Sequence, residues 1–194
     1  MPTSDDLPRI HLGVGEIRII DTPALIETVL GSCVAAVFWN TRHRIGAICH
    51  GALPSCPESL LQGEQLEKRF RYVDYAIRHL AEHYYSLGIR RSEVEVKLFG
   101  GADVLPVRNS ASLSPTVGSQ NTLAAIRALK EESLFLKASD LGGVQGRVIY
   151  FRTDDGSVWL RRLRASEALA ANEPGKPLLE IFYEEQKDTG TDRR

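Results

Sequence analysis

Apolar residues recur along the chain with two periods. Residues 16–20 alternate and predict a strand. Two apolar runs, 34–39 and 45–50, flank the polar segment NTRHR and predict a hairpin. Leu66, Phe70, Val73, Ile77, Leu80, Tyr84 and Leu87 recur at steps of four and three. That spacing predicts one face of a long amphipathic helix, closed by Gly88. Val94, Val96 and Leu98 alternate in a strand that runs into Gly100-Gly101. Leu123, Ile126 and Leu129 mark a second, shorter helix after Asn121-Thr122. Residues 147–153 and 158–163 flank Asp154-Asp155-Gly156-Ser157, a second hairpin signal. A short helix is expected over 165–172 and a last strand over 178–183.

The order is strands, helix, strand, helix, strands. It lacks strict βαβ alternation, so it predicts an α+β fold: one layered domain of mixed β-sheets with two main helices. Residues 54–62 and 106–120 read as long polar loops. The domain is expected over 9–184, with flexible ends at 1–8 and 185–194.

Composition narrows the function classes. Of 194 residues, 43% are hydrophobic and 25% charged, enough apolar material for a real core. The net charge of −1 argues against a general nucleic-acid binder, which needs a basic excess. The longest apolar run, 34–39, is strand-length, far short of the roughly 18 residues of a membrane span. The first residues carry no basic stretch followed by an apolar one, so no secretory signal is expected. Cysteines number three, too few and odd for a disulfide framework. The expectation is a cytoplasmic protein with reduced thiols.

The chemistry concentrates around Cys33. It follows Gly31-Ser32 and precedes the first apolar run, while His50 ends the second. Glycine permits the backbone turn that would expose a nucleophile at a strand end. A hairpin turning near 40–44 brings Cys33 and His50 to the same open end, nearly opposite each other. A thiol beside an imidazole gains thiolate character, and the thiolate is the nucleophile. The plainer alternative makes Cys33 a small core hydrophobe and His50 a half-exposed polar residue.

Zinc is the rival use of Cys33, Cys49, His50 and Cys56. Cys49 and His50 are adjacent and point to opposite faces of a strand, and no C-x-x-C occurs. No metal and no cofactor are expected. Cys49 reads as a core residue and Cys56 as a loop residue. His79 and His83, four apart on the long helix, read as part of a solvated face. Gly100-Gly101 lacks the rest of any phosphate-binding motif and reads as close backbone approach. Gly142-Gly143 reads as a tight turn.

Four blocks resemble a known family. They are TVLGSCVAAV at 28–37, IGAICHGALP at 45–54, KLFGGA at 97–102 and DLGGVQGR at 140–147, and VGSQN at 117–121 is similar to a fifth. Together they resemble the chemoreceptor glutamine deamidases, the CheD family. The resemblance implies a layered fold similar to deamidating bacterial toxins, and an amidohydrolase that converts protein glutamine to glutamate. It maps the nucleophile onto Cys33, the general base onto His50 and the third member onto Thr28. Oxyanion donors are expected from the Cys33 N–H, the Ser32 hydroxyl and the Gly31 turn. The partners implied are the cytoplasmic helices of methyl-accepting chemoreceptors and, in some members, a CheC-type phosphatase. A non-catalytic module that binds that phosphatase or the receptor is the alternative. A peptidase or transamidase is a third use of the same residues.

Overall fold

The fold is described from a computed structural model over residues 7–62, 66–104 and 115–164. The predicted helix at 165–172 and strand at 178–183 lie outside the described residues.

The first predicted hairpin is the centre of the molecule. Strands β4 (Val34–Asn40) and β5 (Ile45–Gly51) pair antiparallel, with Asn40 opposite Ile45. The turn is fixed by the His43 N–H, which donates to Asn40 Oδ1 at 2.7 Å. Strands β2 (Ile17–Ile20), β6 (Glu95–Gly100) and β7 (Leu136–Leu141) complete a five-stranded sheet in the order β2-β5-β4-β6-β7. A second sheet, β1-β3-β8-β9, holds β1 (Arg9–His11), β3 (Leu25–Leu30), β8 (Arg147–Arg152) and β9 (Val158–Arg162).

Alternation along β4 assigns its side chains to two cores. Ala35 and Val37 pack with Ile26, Leu30, Ile48, Ile149 and Phe151 between the sheets. Val34, Ala36 and Phe38 face the helices, against Ile77, Leu80 and Tyr84. The result is three layers: sheet, sheet, helices. Every residue of β4 is buried because both faces of its sheet are covered.

The predicted long helix is two. Leu66–Arg69 is a short helix, α2, and the main helix α3 starts at Val73 and ends at Ser86. A short turn, α1 (Glu58–Leu61), lies in the predicted 54–62 loop. The break has a cause. Ala52 and Leu53 donate to the Arg71 carbonyl, and the Val73 N–H donates back to Leu53 O at 2.8 Å. Residues 70–72 therefore pair with the chain leaving β5 instead of extending the helix. At the other end Gly88 takes φ +76°, and its N–H bonds Tyr85 O, closing the helix as predicted.

Helix α4 (Val117–Glu131) starts four residues before Asn121, inside the predicted loop, on a Thr116 cap. Its predicted stripe is corrected: Leu123 and Ile126 are 57% and 46% exposed, and only Leu129 is buried. The buried face is Gly118, Asn121, Ala124, Ala125, Ala128 and Leu129. Small residues prevail because the helix approaches the backbone closely; a Cβ on Gly118 would meet Gly101 O at 2.6 Å. Strands β1, β3 and β7 were not predicted. β1 has three residues, β7 is a largely exposed edge, and β3 buries the polar Glu27 and Thr28.

Candidate active site

Thr28 reaches the space between the sheets from β3, and His50 from β5. Thr28 Oγ1 lies 2.7 Å from Leu12 O and 2.8 Å from His50 Nδ1. The hydroxyl has one proton, and a carbonyl can only accept. The proton therefore goes to Leu12 O, and the Nδ1–H of His50 donates to Thr28. That fixes the tautomer and leaves Nε2 with a free lone pair. Nε2 is buried and has no hydrogen-bond partner among the described residues.

The backbone of His50 is held on both sides. Its N–H donates to Glu16 O at 3.0 Å, and its carbonyl accepts from Gly15 at 2.8 Å. Burial lowers the His50 pKa to about 4. The ring is a neutral base at physiological pH.

Cys33 is half-buried, one residue before β4. Ala35 stands opposite His50, so Cys33 is displaced two residues along the ladder from direct opposition. The expected near-opposite placement becomes a diagonal one, because the turn is centred one residue later than the sequence midpoint. Both residues still serve the same face: Cys33 packs against the Ala35 and Ile48 core. Burial raises the thiol pKa, while its own N–H and the positive charge of exposed Arg71 lower it. The resting pair is uncharged thiol and uncharged imidazole.

The loop that carries Cys33 is clamped from outside. Gly101 N–H donates to Cys33 O at 2.7 Å, and Ala102 N–H to Gly31 O at 2.8 Å. Asn121 Nδ2 donates to Ser32 O at 2.9 Å and to Ala52 O at 3.1 Å, tying together the loops that follow β3 and β5. Asn121 is fully buried. In the sequence Asn121 stands out only as the last residue of the VGSQN block. A polar residue on a helix face of Gly and Ala was the available signal.

The glycine assignment shifts as well. Gly31 is not in the left-handed region, so it does not supply the special turn expected of it. Gly100 does, at φ +114°, and a Cβ there would sit 2.1 Å from Cys33 O. Gly100-Gly101 is the close backbone approach that the sequence suggested. Gly142 and Gly143, both left-handed, form the expected turn.

Cys49 is buried on the helix-facing side of β5, away from His50, and burial pushes its thiol up to about 12. Cys56 is a half-buried loop residue whose N–H bonds Asp74. Among the described residues no group of three His, Cys, Asp or Glu is placed to hold a metal. His79 packs against Phe70 and Tyr75. Among the described residues no helix is long and apolar enough to cross a membrane.

Residues 53–162 match the family described as CheD chemotactic sensory transduction. The chain belongs to the CheD family. A CheD relative from Geobacter sulfurreducens, named a probable chemoreceptor glutamine deamidase, is 39% identical over 162 residues, covering 84% of this chain and 94% of that protein. One of the same name from Maridesulfovibrio salexigens is 41% identical over 81% of this chain and 94% of its own length. A third, from Pseudomonas syringae pv. syringae, is 36% identical over 83% and 88%. The family match contains Arg71, Gly100 and Asn121 and begins after His50. The Geobacter match is long enough that it necessarily spans Cys33 and His50 as well.

Proposed function

We propose that this chain is a chemoreceptor glutamine deamidase, with Cys33 as nucleophile, His50 as general base and acid, and Thr28 as the residue that orients the imidazole. The observation that carries the reading is the Thr28–His50 hydrogen bond, which leaves Nε2 unprotonated and unpartnered on the face that Cys33 shares. The names of the CheD relatives supply the substrate class.

In this reading His50 Nε2 takes the Cys33 proton as sulfur bonds the carboxamide carbon of a glutamine. The C–N bond then breaks, and the same proton leaves with ammonia. Water adds to the thioester, His50 accepts its proton and returns it to sulfur, and glutamate departs. The Cys33 N–H is the first oxyanion donor, supported by the Ser32 hydroxyl and the Gly31 backbone. No cofactor enters the scheme. In this reading the substrates are the cytoplasmic helices of chemoreceptors, and the protein works in the cytoplasm. A pure binding module, for a CheC-type phosphatase or a receptor, would have no use for an oriented imidazole with a free lone pair.

The test is intact-mass spectrometry of a chemoreceptor cytoplasmic fragment from the same genome. Wild-type protein adds about one dalton per site; Cys33→Ala and His50→Ala add none, while Cys49→Ala and Cys56→Ala retain turnover. Turnover by Cys33→Ala overturns the assignment.

A further inference from the structure

Four apolar side chains stand exposed on the loops that hold the candidate site. Val14 lies between Gly13 and Gly15, next to the Gly15 N–H that bonds the His50 carbonyl, and is 51% exposed. Leu53 follows Ala52, whose carbonyl Asn121 holds. Val104 packs over Gly31, its Cγ2 3.4 Å from where a Cβ there would be. Val144 is 77% exposed in the turn whose Gly143 carbonyl accepts the Asp103 N–H. Each sits on a separate segment; those of Val14, Leu53 and Val104 are bonded to or packed on the loops around Cys33 and His50, and the turn of Val144 is bonded to the 100–103 segment that clamps the Cys33 loop.

The geometry points to this rim as the docking surface for apolar side chains that flank the target glutamine on its protein substrate. The inference rests on the deamidase reading above. A glutamine side chain spans only about 4 Å from Cα to its carboxamide carbon. A substrate backbone must therefore come down onto whatever surrounds the thiol, and its neighbouring residues must touch the rim. Covering four exposed apolar side chains supplies binding that a free amide cannot use. Glutamines with apolar neighbours on the same surface are selected; glutamines in a charged or polar surround are not.

The experiment uses the full-length protein and the cytoplasmic helical fragment of a chemoreceptor from the same genome. Binding is read by fluorescence anisotropy and turnover by intact mass. Val14→Asp, Leu53→Asp and Val144→Asp are compared with Phe135→Asp. Phe135 is at least as exposed as any of the three but precedes Leu136, which aligns with Val96 at the far end of β6 from Gly100. Each rim variant weakens fragment binding by about three- to tenfold, with KM rising in step, and Phe135→Asp does not. Urea midpoints of the rim variants match wild type and show that the fold is intact. Rim variants that bind and turn over as wild type overturn the rim while leaving the deamidase reading standing. Wild type that binds without a mass gain, with weaker binding by the rim variants, supports the rim and overturns the deamidase reading. Wild type that neither binds nor reacts overturns both.

Discussion

The hydroxyl of Thr28 and the imidazole of His50 meet at 2.8 Å from strands of two different sheets. The contact stitches the two sheets together and aims the imidazole. Its direction is set by a third group, the Leu12 carbonyl, which claims the only hydroxyl proton. Thr28→Val removes the acceptor for Nδ1–H and frees the ring to change tautomer. A hydrogen bond worth about 1–2 kcal/mol corresponds to a loss of roughly five- to thirtyfold in kcat. Thr28→Ser keeps most of the rate. Nitrogen NMR of His50 checks the mechanism: the Nδ1–H form dominates in wild type and Thr28→Ser, and becomes mixed in Thr28→Val.

Burial holds the His50 pKa at about 4, below the ordinary histidine value. Below pH 6.5 the unfolded chain binds a proton that the folded one refuses, so unfolding gains as pH falls. The stability tied to this residue is full above about pH 6.5 and lost as pH drops toward 4, on the order of 3 kcal/mol. Urea midpoints measured at pH 7 and pH 4.5 fall more for wild type than for His50→Gln. Equal falls would show that His50 is not the group responsible.

Arg71 places a positive charge where it lowers the Cys33 pKa, against the larger effect of burial. Its stem crosses Gly15, where a Cβ would meet Arg71 Cγ at 2.6 Å. Arg71→Gln raises the thiol pKa further and slows iodoacetamide labelling of Cys33 at pH 8 by about twofold or more. Arg71→Glu slows it more. In 1 M salt the difference between wild type and Arg71→Gln shrinks, because an exposed charge is screened. A salt-independent difference would mean that Arg71 acts through packing.

Asn121→Leu removes both donors that hold the Ser32 and Ala52 carbonyls. Two half-buried acceptors lose their partners, costing about 1–3 kcal/mol in a chemical unfolding curve. The rate falls as well, since the loops bearing Cys33 and following His50 are no longer tied. A variant with wild-type stability would show that the amide is not part of the framework.

Much of this arrangement is legible in the amino-acid pattern. The hairpin around 40–44 put Cys33 and His50 at one end of the sheet, and the face opposite His50 claimed Cys49. What the pattern missed has physical causes. A one-residue difference in the turn centre moves partners by two along an antiparallel ladder, which converts opposition into a diagonal. The buried face of α4 is made of Gly and Ala, so a search for large apolar residues selects Leu123 and Ile126 on the wrong side. The break before Val73 depends on pairing between residues 52–53 and 71–73, a contact that local periodicity cannot contain. Thr28 came from resemblance, because one threonine in an unassigned strand carries no periodic signal.

Strands β4 and β5 are enclosed by layers on both sides, with β4 at the middle of its sheet. Amides so placed exchange with solvent only when the whole domain opens, whereas the loop amides exchange through small local openings. Deuterium uptake is therefore slowest across β4 and β5 and fastest around Val144. A scaffold that rigid does not remodel itself around each substrate. If the deamidase reading holds, choice among glutamines falls to the loops at the open end of the sheets, which can change while β4 and β5 stay as they are.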